Sequence, residues 1–145
     1  MEFDESVRIA RPAAEVFARL ADIQTTAVYP GSPIAAMDKI PPGPTTVGTQ
    51  WREVVRLGRK RTMTMWSQVS DIQPGRLLEE RFWGGSMCGT LVYTLTPEGG
   101  NTILRQHETM RTVGWLRPFG WIVGRMLRPR LHTRLLGLRT EFEAA

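Results

Sequence analysis

The chain contains 145 residues, of which 19 are basic and 14 acidic, giving a formal net charge of +5. This length predicts one domain spanning residues 1–145, and an apolar fraction of 41% with 23% charged residues excludes a disordered chain. Cys88 is the only cysteine, so an intrachain disulfide is excluded, and the acidic N-terminus lacks the basic start of a signal peptide. A cytoplasmic location is therefore expected.

The positive charge is concentrated in one segment of the chain. Seven of the 17 arginines lie between Arg111 and Arg139, a stretch that contains no Asp or Glu. The remaining chain carries 12 basic and 14 acidic residues, which argues against a histone-like or tail-like basic protein. The most apolar stretch, Val113–Leu127, is interrupted by Arg and Pro and cannot span a bilayer, which takes about 20 apolar residues.

The N-terminal part of the chain predicts a strand followed by helix. Partial alternation of apolar residues over Phe3–Ile9 indicates a short strand. Pro12–Ala21 is predicted to be an amphipathic helix, because Pro suits the first helical position and apolar residues recur at helical spacing. A second short helix or irregular turn is expected up to Val28, before the Pro- and Gly-rich residues 29–33.

Six segments with strand character follow, and Pro, Gly or Asn residues separate them. The predicted strands are Ile34–Ile40, Thr49–Leu57, Arg61–Ile72, Arg76–Trp83, Met87–Thr96 and Thr102–Arg111. Connections this short predict antiparallel hairpins.

A long C-terminal helix is predicted from Val113 onward, with a kink or break at Pro129, which removes a helix hydrogen bond. At about 100° per residue, an apolar face before Pro129 contains Trp115, Phe119, Ile122, Val123 and Met126. The apolar stripe after Pro129 is rotated and contains Leu131, Leu135, Leu138 and Phe142. We expect the second stripe to pack on the sheet and the first to cover an opening in it.

Short motifs recur in a fixed order along nearly the whole chain, among them Val7-x-Ile9-x-x-Pro12-x-x-x-Val16-Phe17, Val69-x-x-Ile72-x-Pro74-Gly75-Arg76-Leu77 and Gly89-x-x-x-Tyr93-x-Leu95-x-Pro97. Their order and spacing resemble the polyketide cyclase/dehydrase branch of the START-like (birch-pollen-allergen-like) superfamily. The resemblance implies an α+β helix-grip fold: a curved antiparallel sheet of about seven strands around a long C-terminal helix, with two short helices after the first strand. It also implies an apolar cavity that takes hydrophobic small molecules such as lipids, sterols, quinones or aromatic polyketides.

Strand alternation selects the side chains that would face such a cavity. Met and aromatic residues suit an adaptable apolar site, although core packing is the alternative explanation for most of them. The predicted ligand-binding residues are Trp51, Glu53, Met63, Met65, Phe82, Tyr93, Gln106, Glu108, Met110 and Trp121.

Glu53, Glu108 and Tyr93 are the candidate catalytic residues. A buried carboxylate costs free energy unless it is paired, so Glu53 and Glu108 would orient a ligand or transfer a proton during a cyclisation or dehydration. The alternative is that both carboxylates lie at strand ends or pair with Arg61 or Arg105.

Metal and nucleotide chemistry find no support in the sequence. One Cys and two His cannot form a typical zinc site, and no Gly-rich phosphate-binding motif is present, so neither a metal nor another cofactor is expected. Gly84-x-Ser86-x-Cys88 lies between two strands, where a tight hairpin explains its glycines better than a nucleophile turn.

Three functions remain open. The chain binds a hydrophobic small molecule, or it is a cofactor-independent cyclase or dehydratase, or its Arg-rich segment docks on a membrane or a partner. Peripheral membrane contact would use Trp115, Phe119 and Trp121 beside the arginines, whereas a solvated helix face is the simpler explanation. Nucleic acid is disfavoured because no recognition module matches. The oligomeric state and the ligand are not determined by the sequence.

Overall fold

The computed structural model describes residues 1–22, 24, 28, 30–122, 125 and 136–142. These residues form one antiparallel sheet in the order β1-β7-β6-β5-β4-β3-β2. The strands are β1 Glu2–Ile9, β2 Ile34–Ile40, β3 Gln50–Leu57, β4 Arg61–Gln73, β5 Leu77–Gly84, β6 Met87–Glu98 and β7 Asn101–Thr112. The predicted α+β architecture with about seven strands is confirmed, and each predicted strand is found with its ends shifted by at most two residues.

The first helix, α1, spans Ala13–Ala21 and packs on the inner face of the sheet. It buries Val16, Phe17 and Leu20, whose spacing places them on one side of a helix. Pro12 precedes the first helical residue in an extended conformation, so the predicted helix start is confirmed within one residue. The second predicted short helix falls mainly on residues outside the described ranges.

The core lies at one end of the inner face. It combines α1 with alternate residues of the central strands and with Leu138 from the helical residues 136–142. Phe142 packs against the same cluster. Leu138 and Phe142 of the second predicted stripe therefore pack on the sheet as expected, whereas Leu131, Leu135 and the predicted break at Pro129 lie outside the described residues.

The segment after β7 begins differently from the prediction. Gly114–Phe119 is a 3-10 helix with Pro118 inside it, and helical turns follow at residues 120–122. Because a 3-10 helix has three residues per turn, the apolar face derived from an α-helical period does not apply here. Trp115 and Phe119 are exposed, as are Trp121 and Ile122.

The β5–β6 connection is a two-residue turn. Gly85 and Ser86 both have positive φ, 57° and 64°, as the two central residues of a type I′ hairpin turn require. The hairpin interpretation of Gly84-x-Ser86-x-Cys88 is therefore confirmed.

Among the described strands, the edge strand β2 pairs with β3 alone, and its register is irregular. A bulge interrupts the pairing between Ile34 and Ala36. Pro33 precedes the strand and Pro41 follows it. On the exposed side, Asp38 accepts a hydrogen bond from Arg52 Nη2 at 2.7 Å.

Gly89 allows the inner face to close around an aromatic ring. It lies on β6 directly opposite both Phe82 of β5 and Met110 of β7. A Cβ atom at this position would lie 2.1 Å from the carbonyl oxygen of Thr109 and 2.6 Å from Cζ of Phe82. The Phe82 ring therefore occupies the space that a side chain at position 89 would need.

We predict that Gly89→Ala lowers the free energy of unfolding by about 1–3 kcal/mol, the usual cost of an overpacked interior. Chemical denaturation would measure the change. Gly100→Ala is the matched control, because nothing lies within 4 Å of a Cβ atom there. Equal stability of the two variants would contradict this account of Gly89.

An ion pair joins β1 to β7 on the outer face. Arg105 Nε donates to Asp4 Oδ1 at 2.9 Å, and both side chains are about half exposed. This hydrogen bond holds the pKa of the Asp4 carboxyl below its ordinary value, and the neighbouring His107 acts in the same direction.

The lowered pKa predicts a pH dependence. Because Asp4 binds its proton less readily in the folded state, the pair stabilises the fold above the ordinary carboxyl pKa of 3.8. That stabilisation is lost as the pH falls through the folded value. Arg105→Gln should raise the pKa of Asp4 toward its ordinary value in an NMR titration, whereas Arg8→Gln should not. An unchanged Asp4 pKa in the Arg105 variant would be the contrary result.

Candidate functional site

The inner face of the sheet carries two buried carboxylates in one cross-strand row. Glu108 of β7 lies opposite Leu91 of β6, which lies opposite Glu80 of β5, which lies opposite Val69 of β4. Directly opposite residues point to the same face of the sheet. Glu80 is 6% exposed and Glu108 is 9% exposed. With strands about 4.8 Å apart, the backbones of the two glutamates are about 10 Å apart.

Glu80 also has a contact outside the sheet. Gln24 donates from Nε2 to Glu80 Oε2 at 3.4 Å. Burying charge in an apolar setting is costly, so carboxylates at such positions are normally paired, bound or used in chemistry.

The next row toward the hairpin tips is aromatic and apolar. Trp51 of β3, Phe82 of β5 and Met110 of β7 belong to it, separated by Ser67 and Gly89. The sheet therefore brings together three residues predicted to line a ligand site.

Trp51 is covered from the edge strand. The Lys39 ammonium lies 5.0 Å from the centroid of the Trp51 ring, within the range of a cation–π contact. The same ammonium binds Asp22 Oδ1 at 2.8 Å, at the C-terminal end of α1. The indole Nε1 is buried, and no hydrogen-bond acceptor reaches it within the described residues.

Three further residues of the predicted set lie closer to the β3–β4 turn. Glu53 lies directly opposite Met65, and Met63 lies in the following row, opposite Val55, on the same face. All three are half-buried. Glu53 is thus separated from Glu108 by two rows along the strands.

Tyr93 and Gln106 lie toward the packed core. They are directly opposite each other on β6 and β7, and each is only 2% exposed. Tyr93 belongs to the core cluster with the α1 residues. Gln106 Oε1 is buried, and in the part of the chain that the structure describes no donor reaches it.

The sequence left open that Glu53 and Glu108 pair with a nearby arginine or lie at strand ends. Arg105 lies on the outer face and binds Asp4, so it is not the partner of Glu108. Glu53 and Glu108 lie within β3 and β7, not at the strand ends.

Trp121, predicted to line the site, is 68% exposed, so the structure places it on the surface.

Glu80 was not among the residues predicted from the sequence. The alternation Leu78-x-Glu80-x-Phe82 would have identified it, because Leu78 and Phe82 flank it on the same face. The signal was a single acidic residue between two apolar ones at strand spacing.

An open depression of about 500 Å³ lies over β5, β6 and β7. Arg111 Nε donates to Cys88 Sγ there at 3.1 Å, and this bond raises the pKa of the arginine above its ordinary value. The lining residues are Arg81, Phe82, Trp83, Cys88, Gly89, Thr90, Thr109, Met110 and Arg111. Most of these side chains point away from the buried carboxylates.

Within the described ranges, no group of three or more His, Cys, Asp or Glu side chains is placed to hold a metal ion. The described helices also include none long and apolar enough to cross a membrane.

Comparison with solved structures gives matches over nearly the whole chain. Ara h 8.0201 superposes with a TM-score of 0.78 at 14% identity, covering 100% of this chain and 99% of that one. The ZhuI aromatase/cyclase from Streptomyces sp. R1128 gives 0.73 at 18% identity, with 99% and 93% covered. The di-domain ARO/CYC BexL gives 0.72 at 16% identity, with 99% and 46% covered. At these identities the likeness shows a shared fold.

Sequence comparison identifies the family. No curated protein matches the chain significantly. Residues 1–143, however, match the family described as polyketide cyclase/dehydrase and lipid transport. The motifs and the seven-stranded sheet agree with this match, and the chain belongs to that family.

Proposed function

We propose that the protein binds a hydrophobic small molecule of the lipid, quinone, sterol or aromatic polyketide type on the inner face of its sheet. The observation that carries this proposal is the contrast between the two ends of that face. One end is filled by α1 and Leu138. The other holds the buried Trp51 and Met110 beside two buried carboxylates, with Phe82 packed between them and the core.

The polar atoms on this face support a ligand that also carries polar groups. The Trp51 indole offers a buried hydrogen-bond donor, and the Gln106 amide oxygen offers a buried acceptor. Leaving such a group unsatisfied costs about 1–3 kcal/mol. A ligand with a hydroxyl and a carbonyl group would regain part of this free energy, whereas a pure hydrocarbon would not.

The binding proposal is tested by filling the site. Met65→Trp should weaken binding of anilinonaphthalene sulfonate, followed by fluorescence, by about tenfold or more, since the larger ring occupies the inner face. Thr64→Trp is the matched control, because the adjacent position is exposed on the opposite face. Native mass spectrometry of the freshly purified protein should show a bound hydrophobic molecule that the Met65 variant loses.

Equal probe affinity in the Met65 and Thr64 variants, with both proteins folded by circular dichroism, would refute an inner-face ligand site.

A second function is favoured by the row that contains both Glu80 and Glu108. Two carboxyl groups on one wall of an apolar site are suited to remove a proton at one point of a substrate and return one at another. Such chemistry would serve a cofactor-independent cyclisation or dehydration. Tyr93 contributes less to this proposal, because it lies in the packed core.

The catalytic proposal predicts a separation of binding from turnover. With a synthetic poly-β-ketone as substrate, Glu80→Gln and Glu108→Gln should each lower the rate about 100-fold or more, while binding is retained. Glu79→Gln is the control, since Glu79 lies next to Glu80 but accepts a hydrogen bond from Ser70 at 2.8 Å on the outer face. Identical product formation by all three variants and the unchanged protein would exclude these roles.

A further inference from the structure

Three connections of the sheet meet at one end of the molecule. The β3–β4 turn at residues 58–60, the β5–β6 turn at residues 85–86 and the end of β7 all lie there, because consecutive strands are antiparallel. A Cβ atom on Gly85 would lie 2.0 Å from Met63 Sδ, so the β5–β6 turn contacts the beginning of β4, next to the β3–β4 turn. Val113 donates its backbone N–H to the carbonyl oxygen of Ser86 at 2.8 Å, which joins the third. We call this surface the basic end.

Positive charge converges on the basic end from two separate parts of the sequence. The β3–β4 hairpin tip carries Arg59, Lys60 and Arg61, all exposed. The segment after β7 carries the exposed Arg117. Neither part contains a carboxylate: the sequence has no Asp or Glu from residue 54 to 70 or from residue 109 to 140.

The same end exposes large apolar side chains. Trp115 is 74% exposed, Trp121 68% and Phe119 46%, and Leu57 at the hairpin tip is 48% exposed. Exposed apolar groups of this size that lie together usually mark an interaction surface. Tryptophan beside arginine is typical of the interface between lipid headgroups and acyl chains.

We propose that the basic end docks on the surface of a bilayer that contains anionic lipids. The arginine and lysine side chains would contact lipid phosphates, and Trp115, Phe119 and Trp121 would enter the headgroup region. The two basic segments contain no Asp or Glu and fit an anionic partner, and the exposed aliphatic Leu57 at the hairpin tip fits a lipid phase better than stacked bases. This goes beyond the ligand-binding proposal, because docking requires no occupied site.

Vesicle co-sedimentation tests the proposal with the full chain. Vesicles of mixed phosphatidylcholine and phosphatidylserine should bind the protein, whereas phosphatidylcholine alone should not, and added salt should weaken binding. At about fivefold per basic residue, Arg59→Gln with Lys60→Gln should reduce partitioning about 25-fold. Arg8→Gln with Arg76→Gln, exposed residues at the opposite end, removes equal charge and should have little effect.

The aromatic contribution is tested by Trp115→Ala with Trp121→Ala. Both side chains are mostly exposed, so the variant should keep its thermal stability but lose vesicle binding and the blue shift of tryptophan fluorescence. Full vesicle affinity in this variant would overturn the proposal. So would equal losses in the two charge variants, or binding to a DNA duplex with no binding to anionic vesicles.

Discussion

The register of β7 between its two neighbours is the constraint on which the rest of the structure depends. Along the described part of the chain β1 is the first strand and β7 the last, yet they pair over the whole of β1. The Met1 ammonium donates to the Met110 carbonyl at 2.8 Å, and the Met110 N–H donates to the Met1 carbonyl at 2.9 Å. A slip of one residue would turn Gln106 and Glu108 outward and bring Arg105 and His107 onto the inner face. The chemistry of the site is therefore a consequence of pairing.

The strands and their faces could be predicted from the sequence because strand alternation has a period of two and depends only on neighbouring residues. The same reasoning placed Gln106, Glu108 and Met110 on the inner face, where the structure has them buried. The same alternation would also have identified Glu80, which lies between Leu78 and Phe82 at strand spacing.

Other features depended on contacts that the sequence does not reveal. Arg105 binds Asp4, 101 residues away, because β1 is its neighbour in the sheet. Position along β7 alone left Glu108 as an equally reasonable partner. The 3-10 helix at Gly114–Phe119 was missed for a different reason. The apolar residues there were assigned to one helix face at 3.6 residues per turn, and that assignment fails in a helix with three residues per turn.

The β2 edge of the sheet is protected against pairing with a further strand. A regular, exposed edge strand offers unpaired N–H and C=O groups to any further strand. The β2 edge has a bulge between Ile34 and Ala36 and a proline on either side, and it carries the charged Asp38. These features break the ladder that an added strand would need, so β2 is a poor template for edge-to-edge aggregation.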